Sequence, residues 1–515
     1  MALHYQCFPN LYKDSVSLMQ VSARLNALDG VEQASVAMAT PANIERMRDA
    51  GLDIPLAARP NDLLIALDAD DETAAEALAL AASLLSPSTV KETSAAAHRP
   101  AVSIAMGVHD EMQANFALIS VPGRYAAAEA LKALSQGLHV MLFSDNVPEE
   151  QEAAIKRYAS QHELLVMGPD CGSAIINGMP LGFANVVRRG SIGLVAASGT
   201  GLQEVSCHIH HLGAGVSQAI GTGGRDLHDA IGGLSMMQGI TLLAQDPDTS
   251  LIVLISKPPA PGIMQKVLAC ARQCGKPVVV HFLGAEDHSL EYEGVIPARS
   301  LRHAAEVAVA TLEGKKTPQE TNTRDSLLAK VREKIGTMAA VQKDVRGVFA
   351  GGTFCYEAQL ALLAAGVHCE SNAPVNGASA LQHSGQGVGH SLVDMGDDEF
   401  TQGRPHPMID PALRNARLLS EGRDPATAVL LFDIVLGYGA SPEPCATLLP
   451  VLETLQHDAA EQQRTLLLIA HVCGTEDDPQ DRQQQIACLQ QAGVLVADSN
   501  IEAARLAAFV AQQRK

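Results

Sequence analysis

Four short stretches combine glycine with hydroxyl, thiol, carboxyl or cationic groups, each directly after an apolar run: "GPDCG" (168–172) after "LLVM", "SGTG" (198–201) after "GLVAA", "GTGGRD" (221–226) after "SQAI" and "SKPPAPG" (256–262) after "LIVLI". At the carboxyl end of a parallel strand, such a loop can turn free backbone N–H groups toward an anion at a helix N-terminus. Gly168, Gly172, Gly199, Gly201, Gly223 and Gly224 would let the backbone approach a ligand, with Pro169, Asp170 and Cys171 completing the first loop. Ser198, Thr200 and Thr222 add hydroxyl donors, and Arg225 and Lys257 add positive charge. Each loop alone reads as a turn that ends a strand. Several after successive strands point to one site for phosphate or carboxylate. Neither a G-x-x-x-x-G-K-[ST] loop nor, after the first strand beyond residue 100, a G-x-G-x-x-G fingerprint occurs; "MGVHDE" and "VPGRYA" stand there instead.

A second polar concentration is "QHSGQGVGHSLVDMGDDEFTQGRPHPMIDP" (382–411), with His383, His390, Asp394, Asp397, Asp398, Arg404, His406 and Asp410. Three readings stand: converging metal ligands, an ordered loop whose Asp side chains cap turns and a following helix, or recognition of a carboxylate-bearing acceptor. In the last, Arg404 pairs bidentately with the carboxylate and His406 is a general acid/base. No metal ligand set is assigned. His208, His210 and His211, on the helix after "SGTG", read as interface or surface groups.

Short apolar runs alternating with Ala-rich amphipathic segments must position these loops: "FALISV", "HVMLFS", "LLVMG", "SIGLVAA", "VSQAIG", "LIVLIS" and "PVVVHFL". That alternation predicts right-handed βαβ units and parallel sheets. The absence of Trp and the 3% aromatic content fit strands covered by Ala-rich helices. A chain of 515 residues exceeds one core and predicts several domains. Before the parallel run lies a strand–helix–strand segment and a further strand and helix, a small α+β module ending in the polar stretch "SPSTVKETSAAAHRP". "SIGLVAASGTGLQEVSCHI" and "VRGVFAGGTFCYEAQLALL" form a weak internal duplication, each a strand, a Gly/Thr turn and a helix. The net charge of −20 excludes nucleic acid and anionic membrane as partners. No run approaches a membrane span and the start carries no secretory pattern, so a cytoplasmic protein is expected. The ten cysteines lack C-x-x-C pairs, so neither a disulfide framework nor a zinc site is expected.

In order along the chain, "NFALISVPGRYAAAEALKALSQGLHVMLFSDNVP", "LLVMGPDCGSAII", "GSIGLVAASGTGLQE", "GVSQAIGTGGRDL", "DPDTSLIVLISK" and "GKPVVVHFLG" resemble the succinyl-CoA synthetase α subunit. "VFAGGT" and "LLLIAHVCGTEDDPQDRQQQIACLQQAGVLVADSNIEAARLA" resemble the ligase domain of its β subunit. With "KDSVSLM", "VMLFSDNV" and "GRPHPMIDP", the whole chain resembles the FdrA family, acyl-CoA synthetase-like proteins that include a subunit of an oxamate carbamoyltransferase of allantoin (purine) degradation. The resemblance implies an α/β fold: a small α+β N-terminal domain (1–98), a Rossmann-like CoA-binding-type domain (99–188), and two flavodoxin-like succinyl-CoA-synthetase-type domains (189–313 and 345–515) joined by a linker (314–344). It adds Gly351, Gly352 and Thr353 as anion-loop candidates in the last domain.

The departures from the synthetase select the chemistry. Its mobile G-H-A-G-A histidine loop is replaced after "KPVVVHFLG" by "AEDHSLEYEGVIPARS", where His288 reads as a surface group. Lys257 stands where an acidic loop would orient that histidine, and no ATP-grasp domain is present. ATP is therefore not expected, no cofactor is required, and CoA is doubtful. What remains suits transfer of a carbamoyl group between phosphate and a small oxamate- or ureido-type acceptor, with Lys257 and Arg225 neutralising developing charge and other carbamoyltransferase subunits as partners. The alternatives are an acyl-CoA ligase or CoA-acyl transferase, and a non-catalytic scaffold subunit. A homo-oligomer is expected.

Overall fold

The computed structural model describes every residue except 1, 10, 12, 14, 53–57, 86–100, 112, 286–289, 291–293, 384, 386, 402, 403 and 515. The expected linker at 86–100 and His288 lie outside the described residues. The chain divides into two compact units, 1–110 with 398–410, and 111–397 with 411–515.

In the first unit an antiparallel sheet runs in the order Ala2–Phe8, Leu63–Ala69, Val31–Met38. The central strand is apolar on both faces. Leu63, Ile65, Leu67 and Ala69 pack against the helices Ser15–Asn26 and Asp71–Leu85, while Leu64 and Ala66 meet Met47 and Leu52 on the other face. The two-residue period of a strand divides the side chains between two small cores.

The second unit holds a short parallel sheet and two seven-stranded sheets. The short one is Phe116–Ile119, His139–Leu142, Val166–Met167. The first seven-stranded sheet runs Val295–Pro297, Val278–Phe282, Leu251–Ser256, Arg189–Ala197, Val216–Gly221, Ser173–Ile176, Met179–Gly182, its pairings parallel except for the last two, on either side of the reversed strand Ser173–Ile176. The second runs Ser379–Ala380, Glu370–Ser371, Ser391–Asp394, Asp344–Phe349, Thr427–Val435, Leu467–Cys473, Leu495–Ala497, parallel throughout. Their central strands are near-continuous buried Val, Ile, Leu and Ala, as a sheet covered on both faces requires.

In each sheet the strand order reverses beside one strand, Arg189–Ala197 in the first and Asp344–Phe349 in the second. Adjacent connections leave such a strand in opposite directions, which opens a crevice at its carboxyl end. The loops there are Ser198–Gly201 and Gly351–Thr353, the two halves of the internal duplication. Among the described residues no helix is long and apolar enough to cross a membrane.

One expectation is corrected in this unit. Cys445 and Cys488, from the helices Pro444–Glu461 and Arg482–Gln491, form a disulfide 43 residues apart in sequence. Single cysteines on neighbouring helices carry no spacing signal, so the pair was not legible.

Candidate functional site

The apolar strand Arg189–Ala197 runs into Ser198, whose extended backbone makes it the N-cap of the helix Gly199–His211; its Oγ accepts from Gly201 N at 3.0 Å. The strand Asp344–Phe349 runs likewise into Ala350, Gly351 and the helix Gly352–Ala364. Gly351 offers no side-chain cap. Asp433, from the adjacent strand, accepts instead from Ala350 N and Gly351 N, each at 2.7 Å.

The two helix N-termini meet. Ser198 Oγ and Thr353 Oγ1 are 2.6 Å apart, and a Cβ built on Gly351 would lie 3.0 Å from both Thr200 Cγ2 and Asp433 Oδ2. Only a residue without a side chain lets the helices approach this closely. Among the described residues the N–H groups of Gly199, Thr200, Gly352 and Thr353 have no hydrogen-bond partner, so two sets of open amides and two positive dipole ends lie where the helices meet.

Lys257 follows the strand Leu251–Ser256 and reaches the same region: its Nζ lies 5.8 Å from the ring centroid of Tyr356 on the Gly352 helix. Partly exposed, it makes no ion pair or hydrogen bond among the described residues. Asp394 ends the strand Ser391–Asp394. Burial pushes its carboxyl up to about 6, with Lys257 opposing the shift and Asp397 and Asp433 adding to it. Asp433 is also raised by burial, against the pull of Arg414.

The other loops form a second, closed cluster. Gly223 has a φ of 84°, and a Cβ there would lie 2.3 Å from Pro169 O, so the loops 168–172 and 221–224 pack backbone to backbone. Cys171 donates to Gly221 O at 3.3 Å, and burial pushes its thiol up to about 12, which makes it a small core residue and no nucleophile. Arg225 is bound to Glu152 at 2.9 Å and to Val147 O at 2.7 Å. Lys156, wholly buried, bridges Glu152, Asp226 and Thr222 O. The cation that the sequence assigns to the anion is therefore held in an ionic network of its own. Asp170 and Gly224 lie on the rim of this cluster.

Arg404, His406 and Asp410 belong to the other compact unit, with residues 1–110. Arg404 is exposed; His406 Nδ1 accepts from Met408 N at 3.2 Å, and burial pushes its imidazole down to about 4. His383 is exposed, and His390 Nδ1 accepts from Val345 N at 3.1 Å.

His208 and His210 are interior, buried where this helix meets the elements of the second sheet, so of the interface and surface readings the interface one holds. The helix that carries them is buried nearly all round because it packs against the Gly352 helix and the strand Leu467–Cys473 as well as its own sheet. One turn in from the site, Glu204 Oε2 meets His471 Nε2 at 2.7 Å and Oε1 meets His208 Nε2 at 3.1 Å. Asn500 N donates to Oε1 at 3.3 Å. This carboxylate ties the two sheets together behind the paired helix ends. A charged residue inside the near-continuous apolar "LLFDIV" signals Asp433 in the sequence; nothing local signals His471.

Comparison with known proteins follows the same division. Residues 1–101 match a family model described as "AllF, heavy metal-associated domain", residues 187–284 a "CoA binding domain" and residues 348–510 a "CoA-ligase". The CoA-binding match thus lies on the first seven-stranded sheet, whereas the sequence resemblance gave that type to 99–188. "Uncharacterized protein YahF" of Escherichia coli (strain K12) is 44% identical over 502 residues, 97% of this chain and 96% of that protein. The succinate–CoA ligase [ADP-forming] α subunit of Aquifex aeolicus is 28% identical over 183 residues, 34% of this chain and 58% of that protein. The crystal structure of PH0766 from Pyrococcus horikoshii OT3 aligns over 78% of this chain and 84% of that one, with 13% identity and a TM-score of 0.32.

A heavy metal would need soft ligands in 1–101, where Cys7 is the single cysteine; burial and then Asp62 push its thiol up, away from the thiolate that binds metal. No group of three or more His, Cys, Asp or Glu among the described residues could hold a metal ion. The donor set does not fit. A CoA pyrophosphate at the 221–226 loop would need cations, and Arg225 and Lys156 are already neutralised there by Glu152 and Asp226. That loop does not fit CoA either. With full-length similarity to YahF and matches to the AllF-type, CoA-binding and CoA-ligase models in order, the chain belongs to the FdrA family of acyl-CoA synthetase-like proteins.

Proposed function

We propose that this chain is the subunit of a carbamoyltransferase that moves a carbamoyl group between phosphate and a small oxamate- or ureido-type acceptor, without ATP or phosphohistidine. The observation that carries the phosphate half is the meeting of two helix N-termini at Ser198 and Thr353, with open amides on both sides and Lys257 beside them. Both helices run 13 residues, so each N-terminus carries the positive end of an aligned helix dipole. The carbamoyl half follows from the resemblance to the FdrA family.

Such transfer needs no protein nucleophile. It needs the phosphate oxygen and the carbamoyl carbon held in line, and stabilisation of charge on the phosphate and on the carbonyl oxygen as the bond forms. The amides of Gly199, Thr200, Gly352 and Thr353 hold the phosphate, and Lys257 neutralises the charge that develops. The closed cluster around Gly223 and Arg225 supports the loop Ser198–Gly201 from behind: a Cβ on Gly199 would lie 3.4 Å from Ser173 Oγ, one residue beyond the 168–172 loop.

The test is turnover by the complex assembled with its partner subunits. Carbamoyl phosphate and oxamate are expected to give the carbamoylated amide and phosphate with no nucleotide added. A strict requirement for ATP and CoA, with an acyl-CoA product, overturns the proposal in favour of a ligase.

A further inference from the structure

Asp394 sits where the phosphate reading needs a proton. Its Oδ2 faces the first turn of the Gly352 helix so closely that a Cβ built on Gly352 would lie 2.3 Å away. Oδ1 accepts from Gly396 N at 2.9 Å, while Oδ2 has no hydrogen bond among the described residues. The residue is 6% exposed. Thr200, 8% exposed, lies between the same helix ends with its hydroxyl also unpartnered among the described residues. One carboxylate oxygen of Asp394 and the Thr200 hydroxyl, without hydrogen bonds among the described residues, thus lie beside the open amides.

The groups around Asp394 come from separate elements: Lys257 after the strand Leu251–Ser256, Asp433 from the strand Thr427–Val435, Asp397 from its own loop and the Cys355 thiol from the Gly352 helix. One cation faces two further carboxyls. A phosphate dianion brought to these amides adds negative charge beside a carboxylate that burial already disfavours, and neighbouring like charges cannot all ionise.

We propose that Asp394 is the proton carrier of this site: it takes up a proton as phosphate docks between the two helix N-termini and delivers it to the nitrogen that leaves the carbamoyl carbon. The proposal rests on the function proposed above. In the phosphorolytic direction a phosphate oxygen forms the new C–O bond to the ureido carbon, the C–N bond to the amide breaks, and the Asp394 proton goes to that nitrogen. The proton that hydrogen phosphate brings re-protonates Asp394, so the sum is ureido acid plus hydrogen phosphate giving amide plus carbamoyl phosphate. A carboxyl close to 6 before binding suits this exchange at neutral pH.

Titration calorimetry with inorganic phosphate at pH 7, in buffers of different ionisation enthalpy, counts the protons. A neighbouring charge shifts a carboxyl by about 1 to 3 units, so a rise of roughly two units gives an uptake of about 0.8 proton. Wild type should exceed Asp394→Asn by that amount, since both share any proton change on the phosphate itself. Equal uptake by the two proteins, with phosphate bound by both, overturns the proposal and leaves the phosphate site standing. No phosphate binding to wild type overturns the phosphate site itself. Should the Asn variant not fold, Asp397→Asn, which removes a neighbouring negative charge, must move the uptake to lower pH; an unchanged pH dependence overturns the proposal. In the assembled complex Asp394→Asn should lower kcat by about 100-fold or more, the usual scale for a positioned acid/base, and flatten its pH profile. A kcat near wild type rules out the proton-carrier role.

Discussion

Ser198 Oγ lies 2.6 Å from Thr353 Oγ1, a hydrogen bond across 155 residues of sequence that joins the first turns of two helices from two different sheets. The same oxygen of Ser198 also caps its own helix through Gly201 N. The two roles can be separated by substitution. Ser198→Ala removes both and should cost about 1 kcal/mol or somewhat more, the usual value of an N-cap. Thr353→Val keeps the cap and the shape and should cost less, while weakening phosphate binding. Urea denaturation together with phosphate titration of the two variants checks the order.

Two glycines should respond in opposite ways. Gly223, at φ 84° with Pro169 O where its Cβ would be, belongs to the closed cluster, so Gly223→Val should destabilise the whole unit and not merely empty a site. Gly352 is helical, and its missing Cβ makes room for Asp394 Oδ2. Gly352→Ala should displace that carboxylate and change the phosphate affinity by disturbing the helix end, with a far smaller loss of thermal stability. Thermal melts with and without phosphate distinguish the two outcomes.

Lys257 makes no ion pair or hydrogen bond among the described residues and is partly exposed, so its side chain contributes little to folding. Lys257→Met should leave the melting temperature nearly unchanged and lower the phosphate-dependent transfer rate about 100-fold or more, the scale of losing one positioned electrostatic group. Steady-state rates of the assembled complex and the melting temperature of the same preparation are the measurements. A large drop in stability with a near-normal rate would assign Lys257 a structural role.

How far the sequence carried this reading depends on whether the determinant was local. The strand, Gly/Thr turn and helix of both halves are written in consecutive residues, so the fold class and the loops Ser198–Gly201 and Gly351–Thr353 were legible. Which loops share a site depends on strand order. Arg225 reads as an anion-binding cation from "GTGGRD", yet Glu152, from a helix some seventy residues earlier, already binds it. Asp394 stood among several polar residues in one stretch, and only the packing of its strand beside Gly352 singles it out. Glu204 and His471 lie 267 residues apart and meet because two sheets pack on one helix.

That buried pair has a pH signature. Burial pushes the Glu204 carboxyl up, but His471 and His208 together outweigh it and hold it well below the ordinary 4.5. A carboxyl depressed in the folded state gives stability that is present above its unfolded value and is lost as pH falls through the folded one. Wild type should therefore lose this contribution only below about pH 4.5, the ordinary value for Glu. Glu204→Gln should be less stable at pH 7, by about 1 to 3 kcal/mol as for a buried hydrogen-bond partner removed, and should lose less on acidification. Urea midpoints of both proteins between pH 3 and 8 test this.

The most direct measurement of the central claim is a crystal structure of the protein soaked in phosphate. The anion is expected between the two helix ends, within hydrogen-bond distance of the N–H groups of Gly199, Thr200, Gly352 and Thr353 and with Lys257 turned toward it. Phosphate bound at the 221–226 loop, with the space between Ser198 and Thr353 unoccupied, would contradict it.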